Sequence, residues 1–144
     1  MIAVLRVRGE VKTIGKIEDT MLMLNLKTVN NCVVVPENEK YMGMINKVKD
    51  HVTYGVISKD VFKKMLAKWG RKGQKRLDIK DAELGKITDE VFSGKKKLKD
   101  YGINPTFRLH PPKRGYEGIK RPYSKDGTLG NRGETINALL ERMI

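Results

Sequence analysis

The residues best suited to chemistry in this chain are the cations between Asn104 and Arg132. This stretch reads NPTFRLHPPKRGYEGIKRPYSKDGTLGNR. Prolines and glycines interrupt it repeatedly, so neither a helix nor a strand is predicted to run far, and its backbone polar groups need partners outside the segment. Arginine offers planar, bidentate hydrogen bonding and lysine a mobile charge, and both suit phosphate groups. The predicted partner is therefore anionic, and phosphates are the first choice.

Seven of these cations are predicted to contact the phosphates or bases of a folded RNA: Arg108, Lys113, Arg114, Lys120, Arg121, Lys125 and Arg132. A single lysine is more simply interpreted as solvated surface charge, but the clustering on irregular backbone favours a nucleic-acid surface. Phe107 is predicted to pack on the protein. Tyr116 and Tyr123 are equally compatible with packing and with stacking on bases.

The overall charge indicates the same class of partner. The 144 residues carry a formal net charge of +13, which creates a long-range positive field. No apolar run approaches the roughly 20 residues needed to cross a bilayer, so neither membrane insertion nor secretion is predicted. The single cysteine, Cys32, lies in the apolar run NCVVVP and is predicted to be a buried core thiol, which suits a reducing cytoplasm.

The chain offers little for catalysis. His51 and His110 have no serine or cysteine beside them in a recognisable nucleophile motif, and the adjacent acids Glu18 and Asp19 diverge around a predicted helix. One cysteine and two histidines argue against a zinc site. We predict no enzyme activity, cofactor, metal or small-molecule substrate.

One alternative from a different class is an enzyme that acts on a phosphorylated small ligand. The glycines of GTLGNRG precede the last predicted helix, where Asn131 is expected to cap and free N–H groups could receive a phosphate oxygen. No P-loop signature is present, and ordinary glycine turns are the simpler interpretation.

Hydrophobic periodicity in the first 58 residues predicts a β-α-β-α-β unit. In the first strand, IAVLRVR, the side chains of Ala3, Leu5 and Val7 share a buried face, whereas Arg6 and Arg8 lie on the opposite face. CVVV and VTYGVI are the other two predicted strands. The helices between them have the sequences IGKIEDTMLMLNLK and ENEKYMGMINKVKD.

The rest of the chain is predicted to extend this unit. SKDVFKKMLAKWG forms a helix capped by Ser58, DAELGKITDEVFSG forms a helix closed by Gly94, and RKGQKRLDIKD between them is a polar linker. The predicted divisions are a core domain (1–58), a helical extension (59–103), a basic arm anchored at both ends (104–133) and a C-terminal helix docking on the core (134–144). The apolar face of that last helix comprises Ile136, Leu139, Leu140 and Met143.

Three long stretches resemble the large-subunit ribosomal protein L30 family in its longer archaeal and eukaryotic form. They are LRVRGEVKTIGKIEDTMLMLNL, NNCVVVPENEKYMGMINKVKDHVTYG and GINPTFRLHPPKRGYEGIKRPYSKDGTLGNRGETINALLERM. The resemblance spans nearly the whole chain. It implies an α+β fold, with a compact, ferredoxin-like β-α-β-α-β domain and a C-terminal extension.

The resemblance also implies a role in the large ribosomal subunit of the cytoplasm, with large-subunit rRNA and neighbouring ribosomal proteins as partners and no catalysis. It carries RNA contact onto Arg108, His110, Lys113, Arg114, Lys120, Arg121, Asn131 and Arg132. The alternative is a freestanding basic nucleic-acid-binding protein, chromatin-associated or similar to an RNA chaperone.

Overall fold

A sheet lies between two layers of helices in this computed structural model, which describes residues 1–11, 13–77 and 81–144. The strands are β1 (Ile2–Arg6), β2 (Asn31–Val35), β3 (Val52–Val56), β4 (Arg71–Lys72), β5 (Lys75–Arg76), β6 (Thr106–Arg108), β7 (Gly118–Pro122) and β8 (Gly127–Asn131). The helices are α1 (Gly15–Met23), α2 (Glu39–Val48), α3 (Lys59–Trp69), α4 (Asp81–Phe92) and α5 (Ile136–Met143).

The main sheet has the strand order β6-β2-β1-β3-β8-β7. Strand β1 pairs antiparallel with β2 and β3, and β2 pairs antiparallel with β6. The β3–β8 and β8–β7 pairs are parallel. Helices α1 and α2 connect the first three strands, as the β-α-β-α-β pattern predicts. The predicted α+β fold class is confirmed.

Strand β1 is buried on both faces, which contradicts the predicted one-sided strand. Ile2 and Val4 belong to a core cluster with residues of α1 and α2, whereas Ala3 and Leu5 belong to a second cluster with residues of α3, α4 and α5. The second helical layer comes from sequence after residue 58. It covers the Ala3 and Leu5 face that the alternating pattern assigned to the core, while α1 and α2 cover the opposite face, which the pattern assigned to solvent.

Arg6 shows how this central strand accommodates a charge. Its side chain is only 2% exposed. Nη1 donates hydrogen bonds to the carbonyl oxygens of Leu26 (2.8 Å) and Lys27 (2.6 Å), and Nε donates to that of Arg8 (3.0 Å). The Glu10 carboxylate lies 3.0 Å from Nη1. A buried guanidinium is tolerated only when its donors are satisfied in this way, so Arg6 is a structural residue.

Helix α3 follows its sequence signals closely. The Ser58 hydroxyl oxygen accepts a hydrogen bond from the Val61 N–H at 3.4 Å, which is the predicted N-cap. The apolar stripe is buried and comprises Val61, Phe62, Met65, Leu66 and Trp69. It packs against the sheet and against α4 and α5.

The predicted polar linker after α3 contains a small hairpin instead. Strands β4 and β5 pair antiparallel and reverse direction around Gly73, whose φ is +62°. A glycine in this left-handed conformation permits the tight reversal. The last part of that predicted linker, residues 78–80, lies outside the described residues.

Helix α5 packs on the α3 side of the sheet through four buried residues, Ile136, Leu139, Leu140 and Met143. The chain enters this helix directly over β3. A Cβ atom on Gly55 would lie 2.1 Å from the carbonyl oxygen of Gly133, so only glycine fits at this point of β3. This close contact between Gly55 and Gly133 fixes the connection from β8 to α5 on the core.

Candidate nucleic-acid interface

The basic segment 104–133 begins and ends within the main sheet. Strand β6 forms one edge by pairing with β2, while β8 pairs with β3 and β7 forms the opposite edge. The predicted arm, anchored at both ends, contributes three strands to this sheet. Strands of three to five residues fit between the prolines and glycines, and β6 and β8 pair with strands far away in sequence, β2 and β3. Residues 104–133 share one sheet with the predicted core domain 1–58.

Between β6 and β7, a connection formed by residues 109–117 crosses from one edge of the sheet to the other; we call it the crossing segment. The Leu109 N–H donates to the Asn30 carbonyl oxygen at 3.1 Å, and the Lys113 N–H donates to that of Arg142 at 3.0 Å. Arg142 Nε donates in return to the Lys113 carbonyl oxygen at 3.1 Å. Because protein groups satisfy this backbone, the segment is positioned without an outside partner.

Aromatic residues of the basic segment serve packing. Phe107 is fully buried and contacts Phe62 edge to face, with ring centroids 6.2 Å apart, as predicted. Tyr116 is half-buried, and its hydroxyl donates to Asn30 Oδ1 at 2.6 Å. Burial raises the pKa of this phenol above its ordinary value. Tyr123 is also half-buried, beneath the guanidinium of Arg132. Both tyrosines thus have partners within the protein.

Arg132 is the one predicted contact residue whose side chain is buried, with 5% of it exposed. Its guanidinium carbon lies 4.6 Å from the centre of the Tyr123 ring, and Nη2 lies 3.3 Å from a Glu117 carboxylate oxygen. Nε donates a longer hydrogen bond of 3.4 Å to the Thr128 carbonyl oxygen. These contacts join β8 to the end of the crossing segment and to the turn after β7. Arg132 therefore holds together the loop that connects β7 and β8, and its side chain does not point towards solvent.

The other predicted contact residues are exposed: Arg108, His110, Lys113, Arg114, Lys120, Arg121, Lys125 and Asn131. The cations among them form two groups. One group, here the crossing patch, comprises Arg108, Lys113 and Arg114 on β6 and the crossing segment. The other, here the edge patch, comprises Lys120, Arg121 and Lys125 on β7 and the turn that follows it. Since β6 and β7 are opposite edges of the sheet, the structure does not bring all of these cations into one cluster.

His110 and Asn131 both have partners within the protein. The His110 ring meets Trp69 edge to face, with centroids 4.7 Å apart, so it helps to fix the start of the crossing segment on α3. Asn131 Oδ1 accepts a hydrogen bond from the Gly133 N–H at 2.8 Å. It therefore closes the turn before α5, and the predicted role as a cap of that helix is wrong. Thr135 precedes the helix and makes no side-chain cap.

Other kinds of site find little support in the described parts of the chain. No cluster of three or more His, Cys, Asp or Glu residues that could hold a metal ion occurs there. None of the described helices is long and apolar enough to cross a membrane. Cys32 is fully buried, and burial raises the pKa of its thiol from 9.0 to about 12. It is thus a core residue, as predicted.

Known proteins similar to this chain identify its family. Residues 2–52 match the family profile of ribosomal protein L30p/L7e. The chain is 49% identical over 151 residues to the large ribosomal subunit protein uL30 of Methanococcus vannielii, covering 99% of this chain and 98% of that protein. The chain belongs to the ribosomal protein L30p/L7e family. Proteins of the same name from Methanocella arvoryzae (43% identical, 99% of each chain) and Methanosphaera stadtmanae (40%, 100% of each chain) are also similar.

The alignments with these L30p/L7e relatives extend well beyond the profile. The profile match ends at residue 52, at the start of β3, whereas the three relatives align with 99–100% of the chain. The sequence that forms the crossing and edge patches therefore lies in the part that these relatives share but the profile does not reach.

Two features of this L30p/L7e protein escaped the sequence interpretation. Arg142, which anchors the crossing segment, reads in the sequence only as a basic residue in the last turn of a helix. Lys16, Lys40 and Lys47 line a groove between α1 and α2. Their proximity depends on how the two helices pack, and periodicity within either helix carries no signal for it.

Proposed function

We propose that this protein is a structural constituent of the large ribosomal subunit and that it binds folded large-subunit rRNA through the crossing patch and the edge patch. The relatives at 40–49% identity are named as proteins of that subunit, which supports the ribosomal role. The ribosome of the cytoplasm is then its location, and neighbouring large-subunit proteins are its further partners. The function is structural rather than catalytic.

The observation that carries RNA binding is a set of exposed cations on backbone that the protein itself holds in place. All five residues of β7 are exposed, and the crossing segment is bonded to α5 and to the loop before β2. A binding surface that is ordered beforehand loses less conformational entropy when its partner binds. Shape recognition of folded RNA requires such fixed spacing between phosphate contacts.

The charges of the two patches are not neutralised within the described residues. No carboxylate lies within 4.0 Å of the side-chain nitrogens of Arg108, Lys113, Arg114, Lys120, Arg121 or Lys125 among those residues. An unpaired lysine or arginine keeps its full charge available to a phosphate. Release of condensed counterions then drives binding, and the affinity depends steeply on salt.

Salt titration tests this proposal. If about 6 phosphates are neutralised, the logarithm of the association constant for a large-subunit rRNA fragment should fall with the logarithm of salt concentration with a slope of about −4 to −5. The Lys120→Ala and Arg121→Ala variants should each make the slope less steep by about 0.7–0.9. Lys86→Ala on the exposed side of α4 is the matched control and should leave it unchanged. A nearly flat slope for the unmodified protein would refute the electrostatic basis of the proposal.

Sedimentation separates the ribosomal role from that of a freestanding nucleic-acid-binding protein. A constituent of the particle should travel with the large subunit through a gradient at moderate salt. A chromatin-associated or chaperone-like protein should remain near the top of that gradient while still binding RNA with the same salt dependence.

A further inference from the structure

A groove with a volume of about 400 Å³ lies beside β2, outside both cationic patches. It exists because β6 is shorter than its neighbour. The antiparallel pairing of β2 with β6 ends at Val33, which lies opposite Thr106. Pro105, the residue before Thr106, already lines the groove. Within the described parts of the chain, Val34 and Val35 therefore have a neighbouring strand on the β1 side alone. An edge with unpaired backbone groups is a template for an added strand.

The floor of this groove is apolar on both sides of the sheet edge. Leu24, Val33 and Val35 contribute from the cluster under α1 and α2, and Leu98 contributes from the cluster under α3. Met23 also lines the groove, and its side chain is 72% exposed. An unbranched thioether at an open apolar surface adapts readily to a partner. This lining favours aliphatic side chains as the occupant.

The groove is also lined by three lysines, two from the turn after α4 and one from the short 3-10 helix Leu98–Tyr101 that follows it; these form its rim. Lys96 forms an ion pair with Glu90 at 2.9 Å and lies 5.2 Å from the centre of the Tyr101 ring, so its charge is already engaged. Lys97 and Lys99 are exposed, and no described carboxylate lies within 4.0 Å of their ammonium groups. The rim thus presents uncompensated positive charge directly above an apolar floor.

We propose that this groove binds an extended acidic and hydrophobic segment of another protein, which adds a short strand beside Val34 and Val35. Its aliphatic side chains lie on the apolar floor, and its carboxylates pair with Lys97 and Lys99. Proline at position 36 and at position 105 cannot donate a backbone hydrogen bond, which confines the added pairing to a few residues. The affinity for the added strand then depends on the side-chain contacts as much as on the backbone hydrogen bonds to β2.

Other occupants fit less well. RNA phosphates find cations at the rim only, and the floor offers no hydrogen-bond donors from charged side chains. A second copy of this chain brings a net charge of +13 to a positive rim and is repelled. Charge complementarity therefore selects an acidic protein segment. This surface is separate from the proposed RNA-binding patches, so either proposal can fail without the other.

Fluorescence anisotropy with a labelled peptide of about ten residues, alternating glutamate with valine, tests the inference. The full-length protein should bind this peptide saturably, and it should not bind a peptide alternating lysine with valine. Lys97→Glu combined with Lys99→Glu should weaken binding by about tenfold. The matched charge reversal of Lys120 and Arg121 in the edge patch should leave peptide binding unchanged while it impairs RNA binding.

Amide chemical shifts locate the occupant. Addition of the peptide should shift the Val34 and Val35 signals and leave β7 unaffected. Absence of saturable binding would overturn the proposal, as would equal binding of a peptide alternating glutamate with serine, because charge alone would then explain the interaction. Shifts at Val34 and Lys97 on addition of the rRNA fragment, without any peptide effect, would make RNA the occupant and would also overturn it.

Discussion

Arg132 offers the sharpest test of how the basic segment is organised. If this residue holds the loop, the Arg132→Lys variant should lower stability although it preserves the charge. A lysine ammonium can still reach the Glu117 carboxylate. It cannot also donate to the Thr128 carbonyl oxygen or spread a planar cation over the Tyr123 ring, both of which the guanidinium does here.

The loss of stability expected for Arg132→Lys can be calculated from these contacts. A partly buried cation–π contact contributes about 0.5–2 kcal/mol, and a long hydrogen bond lies at the low end of the usual range of about 0.5–1.5 kcal/mol. The ion pair with half-exposed Glu117 contributes little to the difference, since lysine can retain it and solvent screens it. The free energy of unfolding should fall by about 1–2 kcal/mol, which corresponds to a Tm lower by roughly 3–6 °C.

Calorimetry and an RNA titration in varied salt distinguish this role from direct phosphate contact. Arg121→Lys, on fully exposed β7, is the matched control and should change stability by less than about 0.5 kcal/mol. Arg132→Lys should leave the salt slope of RNA binding unchanged because its side chain faces the protein. Unchanged stability of Arg132→Lys would refute the structural role, whereas a smaller slope in Arg132→Ala would not, because displacement of Lys120 and Arg121 also reduces it.

Glycine geometry and thiol burial give further predictions. Gly55→Ala should lower the free energy of unfolding by more than about 2 kcal/mol, since the added Cβ would lie 2.1 Å from the Gly133 carbonyl oxygen. Gly43→Ala in α2, where nothing lies within 4 Å, should raise it by about 0.5–1 kcal/mol, and similar urea midpoints for the two variants would contradict the close approach. At pH 8, Cys32 should react with Ellman's reagent only after unfolding, because burial raises its thiol pKa to about 12 and only the thiolate reacts. The raised pKa of Cys32 contributes its full share to the free energy of unfolding below pH 9.0, and this share should disappear as the pH rises towards 12. The Cys32→Val variant should lack this part of the pH dependence of stability. Rapid labelling at pH 8 without denaturant would contradict the burial.

Local sequence signals predicted the elements whose contacts are periodic. The Ser58 cap and the stripe ending at Trp69 define α3 correctly, because capping and amphipathic spacing act within one helix. Arg6 shows the limit of this approach. An arginine alternating with apolar residues has the same pattern whether it reaches solvent or the carbonyl oxygens of Leu26 and Lys27. The difference depends on a loop some 20 residues away.

The strands of the basic segment escaped prediction for a related reason. Strand β6 has three residues and β7 is fully exposed, so neither carries an alternating apolar pattern. Strand β6 exists because distant β2 offers it an edge, and β7 pairs with β8, which is itself held by distant β3. Composition predicted correctly that long regular elements are absent. It could not predict that short strands would pair across the whole chain.

Prediction from sequence meets the same limit within the candidate interface. Residue type does not distinguish the cations that hold the basic segment in place from those that are exposed to a partner. Arg121 and Arg132 have equal charge and lie in one basic stretch. Of these two arginines, Arg132 is the one that Glu117 and Tyr123 contact, so its charge stabilises the loop, while that of Arg121 remains exposed. The cations available to RNA are therefore fewer than the net charge suggests. Their spacing depends on the very residues that composition would count among the contacts, so loss of Arg132 should reduce RNA affinity by displacing Lys120 and Arg121 rather than by removing a phosphate contact.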